Sequence, residues 1–298
     1  MIVDATVVGS GPNGLAAAIA LARAGHRVRV HEAEPTVGGG ARSAALTLPG
    51  FVHDLCSAIH PLGAASPFFN ELPLVAHGLE WIHPDIPLAH PLDDGTAVEL
   101  RRSVDETADG LGLDAGAYRR LVGPLVGPWD QLLGEIVRPI LHVPRHPFLL
   151  ARFGLPALLP ASVAARRFFR GERARALFAG LAAHSCLPLD APLTSSFALV
   201  LGVSAHAVGW PFPRGGSQRI ADALASYLRS LGGEITTGDR IESFAEEKGF
   251  CFSRAKDKIV RELVRMHRRF GDFYCPCQPD NVEETICVCV EVKTGYVD

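Results

Sequence analysis

Apolar and polar positions near the start of the chain fall in the order of a strand, a helix and a second strand. Ala5-Thr6-Val7-Val8 is a short apolar, β-branched run and predicts a buried strand. Gly9-Ser10-Gly11-Pro12-Asn13-Gly14 interrupts it at once. Leu15 to Ala24, rich in Ala and Leu, predicts a helix that stops at Gly25. His26 to His31 alternates as a second strand, and Glu32 stands at its end, 18 residues after Gly14. Much later, Gln218 to Leu231 predicts a helix, Gly232-Gly233 its stop, and Glu234 to Thr237 another strand. Lys256 to Phe270 predicts an amphipathic helix with Ile259, Val260, Leu263, Val264, His267 and Phe270 on one side.

A Gly-x-Gly-x-x-Gly turn between a strand and a helix, with an acid at the end of the next strand, is the pattern of a dinucleotide site. Gly9 permits the tight turn, Gly11 lets main chain approach a diphosphate, and Gly14 lets the helix pack against the sheet. The helix start offers unpaired N–H groups and partial positive charge to phosphates. Glu32 suits ribose hydroxyls, which points to FAD or NAD rather than NADP. The competing reading is a structural turn that binds nothing. Gly38-Gly39-Gly40-Ala41-Arg42-Ser43 follows, where glycines allow a second main-chain approach and Arg42 can neutralise phosphate.

The Gly-Gly-Ala-Arg-Ser stretch resembles that of the flavoprotein group that includes phytoene desaturases and amine oxidases. Asp54-Leu55-Cys56-Ser57-Ala58-Ile59-His60-Pro61, Ala182-Ala183-His184-Ser185, Gly209-Trp210-Pro211 and Arg214-Gly215-Gly216-Ser217 are similar to the phytoene-desaturase-related branch. The resemblance covers residues 1–243. It implies an α/β fold: a Rossmann-like FAD-binding domain at 1–60 and 206–243, with an inserted α+β substrate domain at 61–205. Family members continue well beyond this point, so both domains are expected to be partial here. The resemblance implies FAD contacts at Gly9, Ser10, Gly11, Pro12, Asn13, Gly14, Glu32, Ala33, Gly39, Gly40, Ala41, Arg42 and Ile241, the last beside the adenine–ribose half. The implied activity is hydride transfer from an apolar or amine-like substrate to flavin. No acid or base for that step is assigned.

Composition narrows the alternatives. Of 298 residues, 48% are hydrophobic and 20% charged, enough for a sizeable core. The net charge of −3 supplies no bulk field for a nucleic-acid backbone. No secretory signal and no uninterrupted apolar run of membrane-spanning length is visible, so a cytoplasmic protein without a transmembrane segment is expected. The longest greasy stretch, Ser195 to Phe212, reads as buried core first and as a membrane-contacting surface second. Residues 135–170 mix Arg138, Arg145, Arg152, Arg166 and Arg167 with apolar residues and prolines. Three readings stand for them: ordinary core, a lid over an apolar channel, and a basic surface in peripheral contact with lipid. His142 and His146 are spaced i,i+4, but Pro144 spoils a helical metal pair, so they are read as structural.

A change of composition marks a seam near residue 244. Residues 1–247 hold 20 Arg and no Lys, whereas four Lys follow in 248–298. Two domains in one natural protein and a fusion of two sequences both fit. Five of the seven Cys lie beyond the seam, including Cys275-Pro276-Cys277 and Cys287-Val288-Cys289. In a reducing compartment these read as zinc ligands, iron–sulfur ligands or redox thiols. Residues 244–298, a small Cys-rich helical segment, resemble the catalytic chain of ferredoxin–thioredoxin reductase. That implies a 4Fe–4S cluster on Cys275, Cys287 and Cys289, a redox thiol at Cys277 and a redox protein partner. The third Cys-x-Cys of that family does not occur before Asp298, so this segment is expected to be truncated. Three functions therefore compete: an FAD-dependent oxidoreductase, an iron–sulfur or thiol disulfide-reductase module, and an inactive fusion or fragment.

Overall fold

The computed structural model describes residues 3–138 and 142–241. The predicted opening is present: β1 (Ala5–Val8), α1 (Pro12–Arg23) and β2 (Val28–His31), with β1 and β2 parallel and Val7 opposite Val30. Gly25, at φ +89, follows the helix end as its sequence position requires.

The middle of the chain is mainly helical. A hairpin of β3 (Leu88–Pro91) and β4 (Ala97–Leu100) precedes the helices. These are α2 (Ala115–Val126), α3 (Trp129–Ile136), α4 (Pro147–Ala157), α5 (Ala161–Phe168), α6 (Glu172–Ala183) and α7 (Thr194–Ala207). The chain then returns through α8 (Gln218–Ser230) and β5 (Glu234–Thr236). β5 adds to the outer side of β2 in parallel, Ile235 opposite Val30, giving the order β1-β2-β5. This is a Rossmann-like arrangement, with right-handed crossovers expected for its parallel strands.

Two apolar clusters hold these parts together. Leu15 and Ile19 of α1, Val28 and Val30 of β2, and Leu224 and Leu228 of α8 form one, joined by Leu72, Leu74 and Leu79. Each such side chain contributes roughly 1.5–3 kcal/mol on burial. The second centres on Leu132, Phe169, Leu177, Leu199 and Trp210. α7, the core of the longest greasy stretch, buries Leu199, Val203 and Ala205 within it.

Several buried polar groups in the second cluster are paired, whereas Trp129 Nε1 and Ser195 Oγ have no partner among the described residues. Tyr118 Oη and His206 Nε2 lie 2.7 Å apart, and His206 Nδ1 lies 3.1 Å from the Arg102 carbonyl. That carbonyl only accepts, so Nδ1 carries the hydrogen and Nε2 accepts from the tyrosine. Buried Glu135 accepts from His142 Nε2 (2.8 Å) and from the N–H groups of Arg145 and His146. His142 thus ties the chain entering α4 to α3, in keeping with a structural role.

Two expectations need correction. β1 is a strand, but it is not buried: it pairs only with β2 among the described residues, and Val8 is 61% exposed. Short apolar runs look alike on central and edge strands. The core reading of 135–170 holds for one side only. Phe153, Ala157, Ala161, Ala164 and Phe169 are core, while Phe148 is 91% and Leu155 71% exposed. Among the described residues, no single helix is long and apolar enough to cross a membrane.

Two measurements check this packing. A Cβ on Gly14 would sit 2.1 Å from the Gly9 carbonyl oxygen, so Gly14→Ala should lower unfolding stability by about 1–3 kcal/mol or more, read from urea midpoints. Burial lowers the pKa of His206 beyond what its backbone carbonyl partners restore. Its contribution to stability is therefore complete above the ordinary value of 6.5 and lost as pH falls from there. His206→Gln should flatten that part of the stability profile.

Candidate functional site

The glycine-rich loops converge where α1 begins. Gly9, at φ +90, turns the chain out of β1, and its N–H donates to the His31 carbonyl at 2.7 Å. Pro12 occupies the first helical position, where no N–H is needed. Leu15 N–H makes the first intrahelical bond, to the Gly11 carbonyl at 3.0 Å. The N–H groups of Asn13 and Gly14 ahead of it have no partner within the helix. Gly38 N–H donates to the Ser10 carbonyl at 3.0 Å and joins the second loop to the first. A Cβ built on Gly11 would meet only Gly39 Cα, at 3.9 Å. Bare main chain of both loops thus faces one small region.

Glu32 is 8% exposed and spans the gap between β2 and the first loop. Its Oε2 accepts from Ser10 N–H at 2.8 Å and from Ser10 Oγ–H at 2.5 Å. Its Oε1 accepts from Glu34 N–H at 3.0 Å and keeps a further lone-pair site. Burial works to raise the Glu32 pKa. The Ser10 hydroxyl, the two N–H groups and the charge of Arg42 outweigh burial and hold it below the usual carboxylate range. Fully buried Ser10 therefore spends its side chain on Glu32 and has only main chain to offer.

Arg42 is half-buried, beside buried Ala41 and exposed Gly40. Its Nη1 pairs with Glu34 Oε2 at 2.8 Å and its Nε donates to the Gly39 carbonyl at 3.1 Å. Ala33 is exposed beside Glu32. Gly238 and Asp239 N–H donate to the carbonyls of Glu34 and Glu32, which brings the segment ending at Ile241 alongside residues 32–34. Cys275, Cys277, Cys287 and Cys289 lie outside the described residues. Among the described residues, no group of His, Cys, Asp and Glu could hold a metal.

Several residues quoted from the sequence only as points of resemblance or as parts of elements take a place in the site. Asp54 Oδ1 accepts from Ser43 Oγ–H (2.6 Å) and from Ser217 N–H (2.7 Å). Gln218 N–H donates to Ser43 Oγ, and Gln218 Nε2 to the Val37 carbonyl. The start of α8 thereby clamps both ends of the arginine-bearing loop. Ser217 Oγ–H donates to the Ser57 carbonyl at 2.7 Å, so His60 Nε2, 2.8 Å from that oxygen, is the donor to it. Burial lowers the His60 pKa, opposed by the charge of Asp54 and by backbone at Ser57. Residues 57–60 connect the Gly40 carbonyl, which accepts from Ser57, to an apolar groove that begins at Leu62. The groove, of about 290 Å3, is lined by Leu62, His184, Ser196, Phe197, Val200 and Leu201. His184 packs edge-on against Trp210 with ring centres 5.6 Å apart.

The family model for an NAD(P)-binding Rossmann-like domain matches residues 7–72. The N-terminal region of the chain is phytoene-desaturase-like. The chain is 29% identical over 259 residues to a hydroxyneurosporene desaturase from Cereibacter sphaeroides, covering 82% of this chain and 51% of that protein. It is 26% identical over 263 residues to a phytoene desaturase from Fusarium fujikuroi, covering 80% and 43%. A shorter match, 32% identical over 108 residues, is to one component of the limonene dehydrogenase from Castellaniella defragrans, covering 36% and 19%. The chain thus spans about half the length of the desaturases it matches. Among solved structures, an oxidoreductase from Methanosarcina mazei superposes with a TM-score of 0.52 at 20% identity, over 78% of this chain and 50% of that one, which supports the fold.

Arg42 and Glu34 set a measurable balance. Arg42→Gln should weaken binding of ADP, a diphosphate probe, by roughly tenfold or more, the scale of a charge-assisted hydrogen bond. Glu34→Gln should strengthen it by releasing the guanidinium. Isothermal titration at low salt reads both.

Proposed function

We propose that this chain carries the FAD-binding region and part of the substrate region of a phytoene-desaturase-like oxidoreductase. The observation that supports it is the cradle of bare main chain between Gly11 and Gly39, closed by Glu32 on one side and Arg42 on the other.

In this reading the diphosphate of FAD lies against Gly9–Gly14, over the start of α1, and against Gly39–Arg42. Asn13 and Gly14 N–H groups and the Arg42 guanidinium face its charge. Glu32 Oε1 accepts from a ribose hydroxyl while Oε2 keeps the loop in place through Ser10. Ala33 and Ile241 flank the adenine end. FAD, when bound, supplies the capacity to accept a hydride. The chain's own residues bind, orient and exclude water. Asp54, Ser217 and Gln218 fix the arginine loop, and His60 is hydrogen-bonded to Ser217 two residues before Leu62 of the groove. The groove offers aliphatic and aromatic surface with a single imidazole, which favours an apolar substrate over a charged one. The desaturase relatives support the same direction. Two separate apolar clusters support a division into a nucleotide and a substrate domain, with Leu72, Leu74 and Leu79 packing on the nucleotide side and Trp210 on the helical side, across the bounds 61–205 and 206–243.

The test is direct. Purified chain titrated with FAD should quench flavin fluorescence saturably, and Gly11→Val should abolish this. A Cβ at Gly11 makes only an ordinary contact within the protein, so the variant should retain its far-ultraviolet circular dichroism and melting temperature. Equal FAD affinity in the folded variant would remove the reading.

A further inference from the structure

Residues 43–53, which follow Arg42, contain no Asp, Glu, Lys or Arg. They belong to a hairpin in which Ser43 and Ala44 pair antiparallel with Asp54 and His53. Five large apolar residues of this hairpin, Leu46, Leu48, Phe51, Val52 and Leu55, are between 43% and 66% exposed. The hairpin is tied at several points. Ser43 Oγ–H donates to Asp54 Oδ1 at 2.6 Å, and Thr47 Oγ1 lies 2.7 Å from His53 Nε2. Gly50, at φ +87, turns the chain at the tip, where Phe51 N–H donates to the Leu48 carbonyl at 3.2 Å. Leu55 N–H donates to the Arg42 carbonyl at 2.9 Å, and a Cβ built on Gly216 would meet Val52 Cγ1 at 3.1 Å. These ties hold the apolar side chains out in water.

Such a surface is costly for a face that meets only solvent. The five residues offer on the order of 500 Å2, near the upper end of what a free monomer carries. Two such faces in contact cover about 1,000 Å2, the lower bound of a specific interface. The hairpin has no cation to hold lipid phosphate or an acidic partner. The charges that flank it in sequence are already engaged, Arg42 by Glu34 and Asp54 by Ser43 and Ser217. A face without charge meets its own copy without repulsion, as an isologous two-fold contact requires. Among the described residues, the N–H groups of Leu46, Thr47 and Leu48 have no hydrogen-bond partner, so main chain as well as side chain is free to pair there.

We propose that two copies of this chain associate about a two-fold axis through residues 46–55. Leu46, Leu48, Phe51, Val52 and Leu55 of each copy are buried against those of the other. The hairpin continues directly from the loop that bears Arg42, so each cradle lies next to the contact. The association goes beyond the nucleotide reading and holds whether or not FAD is bound.

Sedimentation velocity of the full chain tests this. At tens of micromolar the parent should run at twice the 31.9 kDa of one chain. Raising the salt should not dissociate it, because no ion pair holds the face. L48S/F51S should weaken association by about a hundredfold or more, since four large side chains leave one contact. Leu46→Asp alone should also dissociate the dimer, by setting like charges into a dry contact. Leu113→Ser, at an equally exposed position outside the hairpin, should leave it intact. All three variants change exposed positions and should keep the far-ultraviolet circular dichroism of the parent. A monomeric parent would overturn the proposal in favour of another occupant of the face. Open-ended assemblies, dissociation by salt, a dimer that survives in the folded hairpin variants, or one that Leu113→Ser disrupts equally would overturn it too.

Discussion

Helix α1 can begin where it does only because main chain meets main chain. Gly14 lies so close to Gly9 that any side chain there would enter the Gly9 carbonyl. That approach sets the helix axis against β1 and β2 and aims its first turn at the gap beside the loop. Leu15, Ile19 and Val30 are then fully buried, and α8 closes over them. Were the helix displaced by one methyl group, Gly11 and Gly39 would no longer bound a common cradle. The site is therefore a by-product of how tightly one helix is seated.

Electrostatics complete what packing begins. Glu32 is charged and nearly buried, a costly state unless its oxygens are satisfied. Ser10 and Glu34 satisfy them, and in doing so hold the first loop against the end of β2. Arg42 is balanced by Glu34 in the same way. The chain behind Arg42 is held by Asp54 and the start of α8, and Ser217 passes the connection to His60 and the apolar groove. A continuous set of hydrogen bonds thus runs from the arginine loop to His60, two residues before Leu62 of the apolar groove.

What is legible in the sequence follows from distance along the chain. The strand, turn and helix at 5–23 are local, and the glycine spacing names its own geometry. Glu32 is legible because an acid at a strand end has a known use. Its bond to Ser10 is not, because nothing in Gly-Ser-Gly says which way the hydroxyl points. The Gln218 bond to Val37 joins residues 181 apart, and no periodicity reaches that far. Val8 reads as buried, wrongly, because an apolar run carries no information on how many neighbours its strand has. The mix of arginine and apolar residues at 135–170 is legible, but its prolines hide which side of α4 is core and which, with Phe148 and Leu155, is exposed. The C-terminal cysteines lie outside the described residues.

The pairing of β2 with β5 carries a consequence for how this chain folds. Arg29 and Glu234, linked side chain to side chain across that pair, are separated by 205 positions. Closing so large a loop costs entropy before any contact rewards it. During synthesis, β1, α1 and β2 emerge and must wait while the whole helical region is made, at a rate of about 5–20 residues per second. For many seconds the outer side of β2 is an unoccupied ladder of N–H and C=O groups, and the nascent chain is then most open to mispairing.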